Sequence, residues 1–416
     1  MYSSVSDVEE VEDDTGAAPW SADVTAVADT DQILDDFEAA LRDSADELAP
    51  LRVPATDMAG QLGHSRRMMN WLHDGGWLRW GWPEAVGGFG GSALIRAQLL
   101  ERLALAGYDI PEHLLVLEVV GPAVVKHAPQ LAAERLPAAL RGNELWSQGF
   151  SEPEAGSDLA ALRTKAVEQD DGTYLINGQK IWTSYGAFAD RIVLLARSGA
   201  VSDRHRGLVM LLVDLDAAGV ERRPIALASG REELAEVFFT DVVVDAERVI
   251  GTDGGGWAVA MDLLQYERGT YAWMRMATAT AYLQQLLRAL NCTPTALDSR
   301  SAAIVGRAYL NLAALRARTA DTLGKLASNV TVGSETSVDK LLLSTAEQDV
   351  LDAAMSLLGS DVLISDDESA AAWRDRWWYS RAASIYGGAR EVQYSIVADR
   401  ILHLPRENAS RTPHGQ

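Results

Sequence analysis

A single cysteine, Cys292, stands among 416 residues, which excludes a disulfide framework and any thiolate metal cluster. The seven histidines are scattered, and none falls in the paired or H-E-x-x-H spacing that a metal site needs. Basic residues are scarce. Against 59 Asp and Glu there are 37 Lys and Arg, a formal charge of −22, and such a surface cannot neutralise the phosphates of a nucleic acid. No run of 18 apolar residues exists, so no membrane span is expected. Met1 to Thr15 has neither the basic start nor the apolar core of a signal peptide. Together these absences predict a soluble, cytoplasmic protein with no metal.

What is present is an ordinary globular composition, 48% hydrophobic and 23% charged, in a chain long enough for two or three domains. The charge is uneven: residues 1–50 hold 15 acidic side chains and one basic one, Arg42. Residues 1–30 carry few large apolar groups and read as a disordered acidic tail. Over 31–145, apolar residues such as Ile33, Phe37, Leu41, Leu99 and Leu103 recur near helical spacing. Over 146–250 the period changes to short β-prone runs, including Tyr174–Ile176, Ile181–Thr183, Ile192–Leu195, Leu208–Val213 and Val237–Phe239. Turn signals at Asp171-Gly172 and Asn177-Gly178 separate them, and the pattern predicts an antiparallel sheet domain. Over 251–408 helical periodicity returns, leaving a short tail at 409–416.

Three segments carry candidate chemistry. Gly87-Gly88-Phe89-Gly90-Gly91 follows helix and proline rather than a strand, so it reads as a loop and not as a dinucleotide fingerprint. Gln148 to Asp158 contains Phe150, Ser151, Gly156 and Ser157. Its small residues and free amides suit either an approaching phosphate or a solvated turn. Trp182-Thr183-Ser184 offers a flat aromatic face with hydroxyl donors beside it, as a flavin ring requires, or else a core tryptophan.

These motifs, in this order, resemble those of the acyl-CoA dehydrogenase family. The resemblance spans residues 31–408 and includes the Pro83…Gly88 loop, Tyr386-Gly387-Gly388-Ala389-Arg390-Glu391-Val392-Gln393 and the closing Ala398–Leu402 stretch. It implies an α+β fold with an N-terminal helical domain, a central antiparallel β domain and a C-terminal four-helix bundle. It also implies FAD. Gln148, Phe150 and Ser151 match contacts to the isoalloxazine ring, Gly156 and Ser157 match contacts on the diphosphate side, and Trp182, Thr183 and Ser184 match the wall and hydrogen bonds at the reactive edge. The implied reaction is α,β-dehydrogenation of an acyl thioester, on coenzyme A or a carrier protein, with electrons passed to an electron-transfer flavoprotein.

In many members the catalytic glutamate follows the tyrosine of the C-terminal motif. Here that place is Gly387. A second subgroup carries the base on an earlier helix directly before an arginine, matching Glu267 and Arg268, the latter a candidate substrate contact. Leu263, Leu264, Thr270, Tyr271 and Met274 share the helical face of Glu267, and mostly apolar company would raise the pKa of a carboxylate. The competing reading is a surface Glu-Arg pair.

Two elements that normally complete a neighbouring subunit's FAD site are missing. Ala289 to Ala296 lacks the usual Arg-x-x-Phe-Gly run, and Ser356 to Asp361 lacks the usual glutamine and second glycine. Losing the cation removes a charge-assisted hydrogen bond worth roughly 1.5–3 kcal/mol. The pattern resembles one subunit of a heteromeric acyl-CoA dehydrogenase of the steroid type, with drift within a homo-oligomer as the competing reading. A flavin oxidase or monooxygenase on the same scaffold, and a non-catalytic structural subunit, are the alternative functions. The clusters Trp71, Trp77, Trp80, Trp82 and Trp373, Trp377, Trp378 suit core or interface packing, or else a wide apolar pocket.

Overall fold

The computed structural model describes residues 24–291, 298–328, 330 and 332–405. The N-terminal unit comprises α1 (Val24–Asp43), α2 (Ala45–Leu48), α3 (Met58–Asp74), α4 (Ala93–Leu105), α5 (Glu112–His127) and α6 (Pro129–Leu140). Helix α1 starts inside the segment expected to be tail, because no proline or glycine interrupts helical propensity between Ser21 and Asp43. Side-chain caps start the next long helices: Asp57 Oδ1 accepts from Gly60 N at 2.7 Å and Ser92 Oγ from Leu94 N at 3.1 Å. The glycine loop is a loop, folded tightly onto Trp82. A Cβ on Gly88 would sit 1.9 Å from the Trp82 carbonyl oxygen.

The middle unit is a seven-stranded sheet: β1 (Trp146–Gly149), β2 (Lys165–Glu168), β3 (Thr173–Ser184), β4 (Arg191–Arg197), β5 (Leu208–Asp214), β6 (Val220–Ile225) and β7 (Leu234–Asp245). Its order is β1-β4-β2-β3-β7-β6, with β5 also paired to β4. The expected antiparallel sheet is in fact mixed, since β1 runs parallel to β4. The β2–β3 hairpin lies between them in sequence and supplies the long crossover that parallel pairing demands. Asp171-Gly172 turns this hairpin as expected, with Gly172 at φ +78°. Asn177-Gly178 does not turn the chain. It is a bulge inside one continuous strand, held because Asn177 and Asp241 exchange hydrogen bonds of 2.9 and 3.0 Å.

The C-terminal unit contains α7 (Gly256–Arg268), α8 (Thr270–Asn291), α9 (Ser299–Ala327), α10 (Thr336–Leu358), α11 (Ser360–Ile364), α12 (Glu368–Arg381) and α13 (Arg390–Ile396). Helices α8, α9, α10 and α12 pack as the bundle, burying Met276, Leu286, Leu315, Leu343, Val350 and Trp373. Chain 398–402, expected as plain helix, continues α13 through a π-turn over Val397–Ile401. Helix α4 docks on α8, where Trp273 Nε1 donates to the Ala97 carbonyl at 2.9 Å. That contact joins the first unit to the bundle.

Candidate active site

Strand β1 ends at Gly149, and the next residues are pinned onto β3. Lys180, fully buried in β3, donates to the Phe150 carbonyl at 2.9 Å and to the Glu152 carboxylate at 2.8 Å. Glu152 also accepts the Arg163 and Thr164 amides at 2.6 and 2.9 Å. Burial alone would raise the Glu152 carboxyl, but Lys180 and these donors outweigh it and hold it below its usual range. Burial pushes the Lys180 ammonium down to about 8, against the pull of Glu152. Ile181 N donates to the Ser151 carbonyl at 3.0 Å, and Ser147 Oγ donates to the Ser184 carbonyl at 2.7 Å. Gln148, Phe150 and Ser151 are thereby gathered beside Trp182, Thr183 and Ser184.

The register slips between Lys180 and Thr183, and Trp182 takes φ +61° within the slip. Its side chain is 56% exposed, so it is not a core tryptophan. Thr183 is buried, and its Oγ1 has no hydrogen-bond partner among the described residues. Gly156 and Ser157 lie apart, on an exposed turn beyond the Glu152–Ala155 bridge, where Asp158 meets Arg204 at 2.6 Å. Among the described residues no hydrogen bond or ion pair ties that turn to Glu267.

Glu267 closes the last turn of α7. The helix expected to run through it is broken at Gly269, where a Cβ would meet Leu326 at 2.8 Å, and α8 restarts at Thr270. Leu263, Thr270 and Met274 are buried as expected, yet the company of Glu267 is more polar than its own helix suggests. Gln148 lies within hydrogen-bonding reach of its carboxylate, and the charges of Lys340 and Arg268 act on it. Desolvation still outweighs all three and raises the carboxyl above its ordinary value. Arg268 is half-buried, its Nε has no partner among the described residues, and burial lowers its pKa against the pull of Glu267.

The Tyr386-Gly387-Gly388 turn comes to the same point from the other end of the chain. Gly387 has φ +63°, and a Cβ built on it would lie 2.6 Å from Glu267 Oε1 and 3.4 Å from Lys340 Cε. The two alternative seats for a basic glutamate thus converge on one space, and here Glu267 fills it. Lys340 donates to the Ala383 carbonyl at 2.8 Å and lies 3.7 Å from the centre of the Tyr386 ring; burial pushes its ammonium down to about 7. Sequence reading missed Lys340, although a lysine among Val338, Leu341 and Leu342, with Glu347 two turns on, is an unusual inclusion in an apolar stripe.

Beyond Glu267 the polar character deepens. Tyr271 meets Tyr386 edge-on at 5.9 Å and is in hydrogen-bonding reach of Tyr379, while Arg275 pairs with buried Glu347. The tryptophan clusters pack among other rings. Trp71 and Trp77 pack on Phe37 at 6.2 and 5.3 Å, Trp80 on Phe89 at 5.5 Å, and Trp377 on Trp378 at 5.0 Å. Of the two elements expected to be degenerate, residues 292–296 lie outside the described residues. The other is a break between α10 and α11 at Gly359, φ +67°.

Comparison with known proteins agrees with this architecture. Residues 147–242 match the acyl-CoA dehydrogenase middle domain, and residues 254–402 match the acyl-CoA dehydrogenase C-terminal domain. The chain is 38% identical over 330 residues to the acyl-CoA dehydrogenase IpdE1 of Mycobacterium tuberculosis, covering 79% of this chain and 84% of that one. Among solved structures, the ChsE4-ChsE5 complex from Mycobacterium tuberculosis superposes with a TM-score of 0.75 at 25% identity, over 91% of this chain and 98% of that one. The Tcur3481-Tcur3483 steroid ACAD superposes with a TM-score of 0.78 at 24% identity, over 91% and 98%. Both the domain matches and the curated relative lead to one assignment: the chain belongs to the acyl-CoA dehydrogenase family.

Proposed function

We propose that this protein dehydrogenates an acyl thioester between its α and β carbons, with FAD as oxidant and Glu267 as the base. The observation that carries the reading is the Glu267 carboxylate itself: desolvated, within reach of Gln148, and lodged against the bare backbone of Gly387. A raised pKa strengthens a carboxylate as a proton acceptor, which a weakly acidic C–H requires.

The residues present fit a flavin. Trp182 keeps a flat indole face uncovered, and Thr183 keeps a buried hydroxyl without a partner among the described residues, ready to donate to a ring heteroatom. Gln148, Phe150, Ser151 and Ser184 would border the ring, with Gly156 and Ser157 on the diphosphate side. When bound, FAD accepts the β-hydrogen as hydride. Glu267 takes the α-proton, and Arg268, whose Nε has no partner among the described residues, orients the thioester. Lys180 acts only by fixing the Phe150–Glu152 segment against β3.

The missing trans elements support a heteromeric assembly in which a second, related subunit completes the FAD site, with an electron-transfer flavoprotein as acceptor. Both solved neighbours described above are two-component proteins by name. Anaerobic mixing of the FAD-loaded protein with thioesters tests the reaction: flavin absorbance should bleach with the wild type and persist with Glu267→Gln at equal FAD content. Turnover retained by that variant would move the base elsewhere. FAD content of the chain purified with and without its partner tests the assembly, and one tightly bound flavin per lone chain would refute it.

A further inference from the structure

The backbone that faces Glu267 is of the least constrained kind. Gly387 and Gly388 take φ +63° and +95° in succession, and adjacent glycines have many other conformations open to them. Yet the turn passes close to the base, with a Cβ on Gly387 falling 2.6 Å from Glu267 Oε1. A group outside the turn has to hold it there. Lys340 secures its leading end, through the Ala383 carbonyl at 2.8 Å and the Tyr386 ring at 3.7 Å.

The trailing end is tethered by Gln393, in the first turn of α13. Its side chain is fully buried, and its Nε2 donates to the Gly387 carbonyl at 3.2 Å and the Gly388 carbonyl at 3.3 Å. Only the NH2 end of an amide can serve both oxygens, because its carbonyl end would repel them. The fit is close: a Cβ on Gly388 would sit 2.1 Å from Nε2. The opposite end, Oε1, is buried with no partner among the described residues. A methionine would fill similar volume without an orphaned acceptor, so packing alone does not account for an amide here.

We propose that Gln393 is a positioning residue: by holding both glycine carbonyls it keeps the Gly387-Gly388 backbone against the Glu267 carboxylate and keeps water off it. The inference rests on the reading of Glu267 as the base and adds what sets its strength. The other groups acting on that carboxylate are Lys340 from α10, Arg268 from its own helix and Gln148 from β1. Burial raises the carboxyl above its ordinary value against all three. A slackened turn admits water, so the proton affinity of Glu267 falls back toward that of a free carboxylate. Losing a neighbouring cation would act in the opposite direction.

The test uses the FAD-loaded protein co-purified with its partner subunit. In Gln393→Met the limiting rate of thioester-dependent flavin reduction should fall about tenfold, with half-saturation within about twofold of wild type. The acid limb of that rate should move to lower pH. Gly388→Ala displaces the same amide from the other side and should give both shifts. The double variant should be no slower than the slower single variant, since both changes break one contact. Infrared titration of the Glu267 carboxyl stretch, each protein taken as the difference from its Glu267→Gln counterpart, should show the same downward shift without substrate. An acid limb and a carboxyl titration that stay in place in both variants, whatever happens to rate or melting temperature, would overturn the inference. Rate losses that multiply in the double variant would also overturn it. If Gln393→Met does not fold, Gly388→Ala decides by the same two titrations. Failure of the dehydrogenase reading would show separately, as wild-type flavin that no thioester bleaches while the infrared titration still reports on Glu267.

Discussion

Two charge clusters, one fully buried and one partly so, differ in how completely they are paired. In the N-terminal unit Arg96 and Glu118, 3% and 1% exposed, meet through two parallel contacts, and the guanidinium also bonds the Trp80 carbonyl and covers Trp82 at 4.7 Å. Among the described residues, neither side chain has an unpartnered buried atom. Around Glu267, by contrast, the charges of Lys340 and Arg268 act on the carboxylate without a direct ion pair, and Arg268 Nε has no partner among the described residues. The closed cluster holds helices α4 and α5 together. The open one keeps polarity available for something that arrives later, and unmet hydrogen-bonding capacity in a buried place is what marks it as a site.

Exchanging partners in each cluster should separate these roles. The largest effect is expected at the open one: Glu267→Gln should lower thioester-dependent flavin reduction by about 10²–10⁴-fold, read by anaerobic stopped flow, with little change in melting temperature. Next, Glu118→Ala should cost about 3–5 kcal/mol in denaturant unfolding, because it strands a buried guanidinium. A catalytic defect without a stability loss there would erase the contrast. Gly387→Ala intrudes on the Glu267 carboxylate and should lower kcat by about 10–100-fold while leaving the fold intact.

The smallest effect is a displacement along the pH axis. Glu267 must be ionised to accept a proton, so activity should fall as pH drops through its pKa, which burial sets above the ordinary carboxylate value. Lys340 favours the ionised form. Lys340→Met should therefore raise that pKa and move the acid limb of kcat/KM to higher pH. A limb that stays in place would show that Lys340 serves only the Ala383 and Tyr386 contacts.

The sequence was most legible where local rules decide. Helical spacing and the Asp171-Gly172 turn located elements, and the Tyr-Gly-Gly turn directed attention to Glu267. It was least legible where distant segments decide. Asn177-Gly178 has turn chemistry, yet Asp241, 64 residues away, holds it in a strand. Strand β6, Val-Glu-Arg-Arg-Pro-Ile, has no apolar alternation because it is an edge that pairs only with β7. Gly269 splits an apparently continuous helix where Leu326 on α9 leaves no room for a side chain.

The bare position at Gly387 also constrains how such an enzyme could change. A second acid placed there would share a few ångströms with Glu267 Oε1, and two carboxylates that close cannot both remain ionised near neutral pH. One would keep its proton and block the other. If Glu267 is the base as proposed, moving it from one chain segment to the other cannot pass through a stage that benefits from both; each address is open only while the other stands vacant.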